Sequence, residues 1–248
     1  GNDCNEIRAA LKEAKSETER PTLIIGRCIM GKGARQADNS SYERSCKTHG
    51  APLGGDAYKN TILNLGGDLE NPFVIFDEVK ELYAKRAEEL KIIMAGRYAE
   101  EKAWAEANPE KAQMQQDWFD GKIPAIDWDS IQQKPNGPTR AGSAVVLGVL
   151  AETVKNMTCS SADLCNSDKT DGFLKKTQIF MKGDFSGAFF QAGVAELTMA
   201  CVCMGMMLHG GVISSCGTFF VFSDYMKPAL RMAALMELPI KFIWTHDA

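Results

Sequence analysis

The chain changes character three times when its apolar and polar positions are followed from one end. Between Glu6 and Glu17, Ile7, Leu11 and Ala14 fall on one helical face, Asn2 or Asp3 can cap the start and Pro21 closes the segment, so a helix is predicted there. The run Thr22 to Ile29 (TLIIGRCI) is short and apolar, and predicts a buried strand. Residues 31–56 are polar and glycine-rich, longer than an idle connection needs, and predict a functional loop. From Asn71 to Gln133 few apolar positions could build a core. A Glu/Lys/Ala-rich helix over 76–108, a second polar helix and a linker ending at Pro138 read together as a connecting arm.

From Arg140 onward an α/β pattern resumes. It predicts a helix over 143–156, a loop holding Ser160 to Leu164, an apolar stretch over 189–194 and a helix over 197–208. A turn at Gly210-Gly211, an aromatic helix over 219–236 and a strand over 240–244 follow. This alternation predicts an α/β protein whose mostly parallel sheet is flanked by helices.

Composition narrows the class. The 248 residues carry 28 basic and 32 acidic side chains, a formal charge of −4, and 45% are hydrophobic, which excludes a disordered tail or a coiled-coil rod. No basic stripe marks a nucleic-acid binder. The longest apolar run, LTMACVCMGMML, is shorter than the roughly 20 residues of a membrane-spanning helix. Eight cysteines without a CxxC pair read as free thiols of a cytoplasmic protein, and Cys201 and Cys203 point to different helix faces, so no metal site is expected. The chain begins without Met and stops directly after an apolar strand, and is expected to be a fragment.

Several residues invite chemistry. Gly26 to Lys32 follows the pattern of a phosphate-binding loop, but Gly33 stands where that motif needs a hydroxyl. His49 sits in a loop stiffened by Gly50 and Pro52. Glu196 lies between two apolar segments, where burial favours a protonated carboxyl; the competing reading is a carboxylate stabilised by the start of a helix. Phe219, Phe222 and Tyr225 recur at a spacing of three, as core packing or as a stacking surface for a flat heterocycle. His246-Asp247 follows the last strand, where α/β sheets place their ligands.

Thr48-His-Gly-Ala-Pro-Leu53, Ser161-Ala-Asp-Leu164, Gly193-Val-Ala-Glu196, Gly217-Thr-Phe-Phe-Val-Phe-Ser-Asp-Tyr225, Arg231-Met-Ala-Ala-Leu235 and Thr245-His-Asp247, in this order, resemble transketolase, a thiamine diphosphate-dependent family. The resemblance covers nearly the whole chain. It implies the thiamine diphosphate-binding fold, with residues 1–70 as the C-terminal part of a diphosphate-binding domain, 71–137 as a helical linker arm and 138–248 as the N-terminal part of a pyrimidine-binding domain. The magnesium and diphosphate ligands are then expected upstream of Gly1, and the chain alone is expected to be inactive.

The implied reaction, in the pentose phosphate pathway, moves a two-carbon ketol unit from a ketose phosphate to an aldose phosphate through the cofactor ylid. Glu196 would hydrogen-bond the cofactor aminopyrimidine and favour its imino tautomer, Phe219, Phe222 and Tyr225 would enclose that ring, and Asp163 would sit near it. Arg140 and Ser167 would bind the sugar phosphate, while His49 and His246 would bind substrate hydroxyls and assist proton transfer. The family resemblance also implies a homodimer with the site between subunits. Departures at Cys46, Ala195 and Leu197 keep two alternatives open: a noncatalytic thiamine-enzyme subunit, or an enzyme resembling deoxyxylulose phosphate synthase.

Overall fold

Helix α1 (Cys4–Ser16) starts at Asp3, whose carboxylate accepts hydrogen bonds from the Asn5 and Glu6 amides at 2.8 and 2.9 Å. The bond from Glu6, then that from Asn5, holds the Asp3 carboxyl below its usual 3.8. The folded value being the lower one, this stabilisation is fully present above pH 3.8 and is lost as pH falls through the folded value. Acidification is therefore expected to fray the first turn of α1, seen as a titration of the Asn5 and Glu6 amide shifts by NMR. Asp3→Ala should abolish that titration.

The computed structural model describes residues 1–247, and the chain divides into two compact units, Gly1–Ala95 and a second beginning at Gly96. In the first unit the predicted strand over 22–29 does not form. Leu23 and Ile25 are 84% and 83% exposed, and no segment among the described residues pairs with them. Aliphatic content favours a strand, but a strand exists only as one member of a hydrogen-bonded ladder. The long loop behind it is ordered by α2 (Gly55–Asn64), which the apolar pattern did not reveal. Thr61 Oγ1 accepts from the Arg35 amide at 2.9 Å, Asn64 donates to the Gly33 carbonyl at 2.9 Å and Asn60 to that of Gln36 at 3.0 Å.

Helix α3 (Asp77–Ala107) buries no residue and carries ion pairs such as Lys80–Asp77 and Lys91–Glu88 along its length. Such local pairs support an exposed helix, and α3 also leaves apolar side chains such as Leu82, Ile92 and Tyr98 exposed. Helix α4 (Pro109–Phe119) follows, with Pro109 in its first turn, where a missing N–H costs nothing.

The rest of the second unit is built on α5 (Thr139–Thr153), β1 (Met157–Ser161), the single turns α6 (Cys165–Asp168) and α7 (Asp171–Leu174), β2 (Phe189–Gln191), α8 (Glu196–His209), β3 (Ile213–Thr218), α9 (Ser223–Leu235) and β4 (Lys241–Trp244). The strands form one parallel sheet in the order β2-β1-β3-β4. Leu147, Ala151, Val154, Met157, Phe173 and Phe189 fill one face, with α5 and α7. Met199, Ala200, Cys203, Cys216, Met226 and Ala229 fill the other, with α8 and α9. The chain adds β2 on one side of β1 and then β3 and β4 on the other, and the carboxyl ends beside such a switch point form the crevice where α/β proteins bind ligands. Among the described residues no helix is long and apolar enough to cross a membrane.

The two central strands, MTCSS and ISSCGT, were not predicted: the end of β1 was read as part of a loop, and β3 was assigned no element. Strands buried on both faces are usually aliphatic; here small hydroxyl and thiol groups fill the interior and satisfy one another. Ser160 donates to the Ser215 carbonyl at 3.4 Å, Ser215 to that of Thr158 at 2.9 Å and Thr158 to Ser214 Oγ at 3.3 Å. Cys159, Cys203 and Cys216 are buried among them, and burial pushes the Cys159 thiol up to about 12. With a disulfide-exchange reagent, exposed Cys4, Cys28, Cys46 and Cys201 should react quickly in the native protein, and the three buried thiols only at the rate of unfolding. Fast native labelling of Cys159 would contradict this packing.

Candidate active site at the carboxyl edge of the sheet

Four sequence-predicted residues meet at the ends of β4 and β1. Arg140, in the first turn of α5, places Nη1 3.1 Å from the Ser167 carbonyl and 2.7 and 3.0 Å from Nε2 and Nδ1 of His246. A guanidinium offers only donors, so the imidazole nitrogen facing it is the acceptor. The His246 ring in turn packs on Phe219 with centroids 4.3 Å apart. Nε and Nη2 of Arg140 have no partner among the described residues, which leaves the two-pronged side of the fork available to an anion. A cleft of about 440 Å³ opens here, lined by Pro138, Thr139, Arg140, Ser143, Thr245 and His246.

Phe219, Phe222 and Tyr225 form a ladder of near-parallel rings. Phe219 and Phe222 lie 5.7 Å apart at 11°, and Phe222 and Tyr225 lie 6.1 Å apart at 21°. The predicted aromatic helix is shorter than the pattern implied: Phe219 is extended, a 3-10 turn covers Phe220–Phe222, and α9 begins at Ser223. Tyr225 is 62% exposed, so the outer end of the ladder is open. Beneath it Thr218 is fully buried, and its Oγ1 has no hydrogen-bond partner among the described residues.

Glu196 opens α8 after a turn in which Gly193 takes φ 68°, a left-handed conformation that suits glycine. The residue is 8% exposed, and its carboxyl group makes no hydrogen bond or ion pair among the described residues. Asp163 lies exposed just beyond β1 with φ 63°, in the loop that leads to α6. His49 belongs to the first unit, where it caps the 3-10 turn Cys46–Thr48 and is exposed.

The sequence reading missed the group that supports this edge. Asp168 is fully buried and accepts from Ser161 Oγ at 2.6 Å, from Thr170 Oγ1 at 2.7 Å and from the Thr170 amide at 2.8 Å. Ser161 Oγ also accepts from the Leu164 amide at 3.1 Å. Gly217 of β3 packs against this knot, where a β-carbon would overlap the Thr170 methyl and lie 3.3 Å from Asp168 Oδ2. Among the described residues, no cluster of His, Cys, Asp and Glu side chains could hold a metal ion.

Residues 1–124 match the family model of the transketolase thiamine diphosphate binding domain, and residues 137–248 match that of the transketolase pyrimidine binding domain. The chain is 37% identical over 259 residues to a transketolase of Halalkalibacterium halodurans, covering all of this chain and 36% of that protein. It is 35% identical over 258 residues to a transketolase of Bacillus subtilis, covering all of this chain and 37% of that one. Among solved structures, a transketolase from Leishmania mexicana superposes with a TM-score of 0.79 at 26% identity, and one from Pichia stipitis in complex with sedoheptulose-7-phosphate with 0.78 at 30% identity. Both matches cover the whole of this chain, and 36% and 37% of those. The chain thus spans a little over a third of the length of the relatives it matches. On both halves of its sequence and on its fold, the chain belongs to the transketolase family.

Proposed function

We propose that the protein carrying this chain is a transketolase, moving a two-carbon ketol unit from a ketose phosphate to an aldose phosphate with thiamine diphosphate. The observation that carries this reading is the cluster of Arg140, Ser167 and His246 against the Phe219 ring at the carboxyl edge of a parallel sheet. In that reading residues 1–70 end the diphosphate-binding domain, 71–137 form the linker arm and 138–248 begin the pyrimidine-binding domain.

The residues present fit the pyrimidine half of the cofactor: a flat heterocycle needs aromatic faces, which Phe219, Phe222 and Tyr225 offer, and a polar partner, which Glu196 offers, since its carboxyl has no partner among the described residues and its oxygens are open to solvent. When bound, thiamine diphosphate supplies the carbanion chemistry. The chain orients it and handles protons. Glu196 would hydrogen-bond a ring nitrogen of the pyrimidine, and Asp163 would serve the same ring. The free side of the Arg140 fork takes two phosphate oxygens, and Ser167 donates a hydroxyl to the same group. His246 and His49 bind substrate hydroxyls and move protons between them and water.

In the same reading, magnesium would accompany the diphosphate, with its ligands in the part of the relatives' length that this chain does not span. The free thiols suit a cytoplasmic enzyme. The exposed apolar side chains Phe220, Tyr225 and Leu235 suit a homodimer that closes the site between subunits. The test is ketol transfer from xylulose 5-phosphate to ribose 5-phosphate by the full-length protein, with thiamine diphosphate and magnesium. Turnover supports the reading. Cofactor binding without turnover would overturn it in favour of a noncatalytic thiamine-enzyme subunit.

A further inference from the structure

The fully buried Asp168 lies beside the proposed phosphate cluster but has no part in the chemistry assigned to it. Its two oxygens take three donors from two sides: Ser161 at the end of β1, and the amide and hydroxyl of Thr170 at the start of α7. Between those two points the chain makes the turn that carries Ser167, whose carbonyl receives Arg140 Nη1. Lys169 takes φ 69° in that turn, a conformation a non-glycine residue holds only when neighbouring contacts enforce it. On the far side the knot touches Gly217, one residue from Thr218 and two from Phe219.

We propose that Asp168 is a positioning residue that sets the spacing between the phosphate-binding fork of Arg140 and Ser167 and the aromatic ladder starting at Phe219. Three donors converge on one carboxylate in a dry interior, so the β1–α7 turn has one arrangement in which all of them are satisfied. Removing the carboxylate leaves Ser161 Oγ and the Thr170 amide and hydroxyl without their acceptor, and the turn relaxes. Ser167 then withdraws from Arg140, which loses the contact that orients its guanidinium. Substrate binding suffers more than the chemical step, because Glu196 stands on a different element, the start of α8.

This inference rests on the sugar-phosphate reading of the Arg140 cluster, and the experiment separates the two. In the full-length protein with thiamine diphosphate and magnesium, Asp168→Ala is expected to raise the KM for ribose 5-phosphate at least tenfold while kcat falls less than threefold. Calorimetry should show a matching loss of affinity for ribose 5-phosphate without turnover. Asp168→Asn should restore most of the KM: its carbonyl oxygen still accepts from Thr170, and its amide can donate to a free lone pair of Ser161 Oγ. Should Asp168→Ala fail to fold, Ser161→Ala removes one of the three donors and is expected to shift KM in the same direction by a smaller factor. A KM within twofold of the parent in the folded variants, or an equal fall in kcat with KM unchanged, would overturn the positioning role and leave the enzyme assignment intact. A parent protein that neither transfers a ketol unit nor binds ribose 5-phosphate would overturn the sugar-phosphate reading itself.

Discussion

Ketol transfer by the full-length protein is expected to fall by about 10²–10³-fold when Glu196 is replaced by glutamine, with the thermal transition unchanged. General acid–base help from one placed side chain is worth about 10²–10⁴ in rate, and a loss of this size corresponds to roughly 3–4 kcal/mol of barrier. Glutamine keeps the shape and a hydrogen-bonding end but cannot exchange a proton. At a site 8% exposed, with no partner among the described residues, no neighbour stands in place to take over. Steady-state rates at saturating cofactor isolate the effect from weaker cofactor binding. A loss below tenfold would show that Glu196 is only the carboxylate that begins α8.

The largest expected effect on stability comes from Phe189→Ala. The ring is fully buried, at the register position beside Cys159 on β1, and it packs in the core face with Leu147, Val154, Met157 and Phe173. Truncating a buried phenylalanine costs about 3–5 kcal/mol through lost transfer energy and the cavity left behind. That is a large part of the roughly 5–15 kcal/mol that holds a domain folded. The urea midpoint of the variant should drop accordingly, whereas Phe185→Ala, at a site 71% exposed, should leave it nearly unchanged. A cost below about 1 kcal/mol at Phe189 would contradict the core assignment.

Helices α1, α3, α5 and α8 and strand β4 were legible because each has a clear periodicity or an uninterrupted apolar run. The first unit misled for the opposite reason. Residues 22–29 have strand composition, but pairing is a tertiary property that composition does not carry. Strands β1 and β3 were hidden because Ser, Thr and Cys in an interior look in sequence like a loop. In the candidate site, the residues gathered by local motifs were accessible to sequence reasoning, Phe219, Phe222 and Tyr225 by spacing and Arg140 and Ser167 by resemblance. The contact of Arg140 with His246 spans 106 positions in the chain and has no local signature. Asp168 was invisible for a related reason, since an aspartate in a polar turn looks solvated until the fold closes over it.

The hydroxyl-rich centre of the sheet has a consequence for how its alignment is chosen. In most sheets a one-residue slip turns an apolar set toward water, and that penalty alone selects the pairing. Here both faces are covered and the middle of each strand is Ser, Thr and Cys, so a slipped pairing of β1 with β3 would not turn an apolar set toward water. What distinguishes the native pairing is the set of cross-strand bonds from Ser160, Ser215 and Thr158, together with the single place where Gly217 can pass Thr170. Hydrophobic burial drives the collapse of this sheet, while a few directional bonds worth about 1 kcal/mol each decide which alignment the collapsed chain keeps.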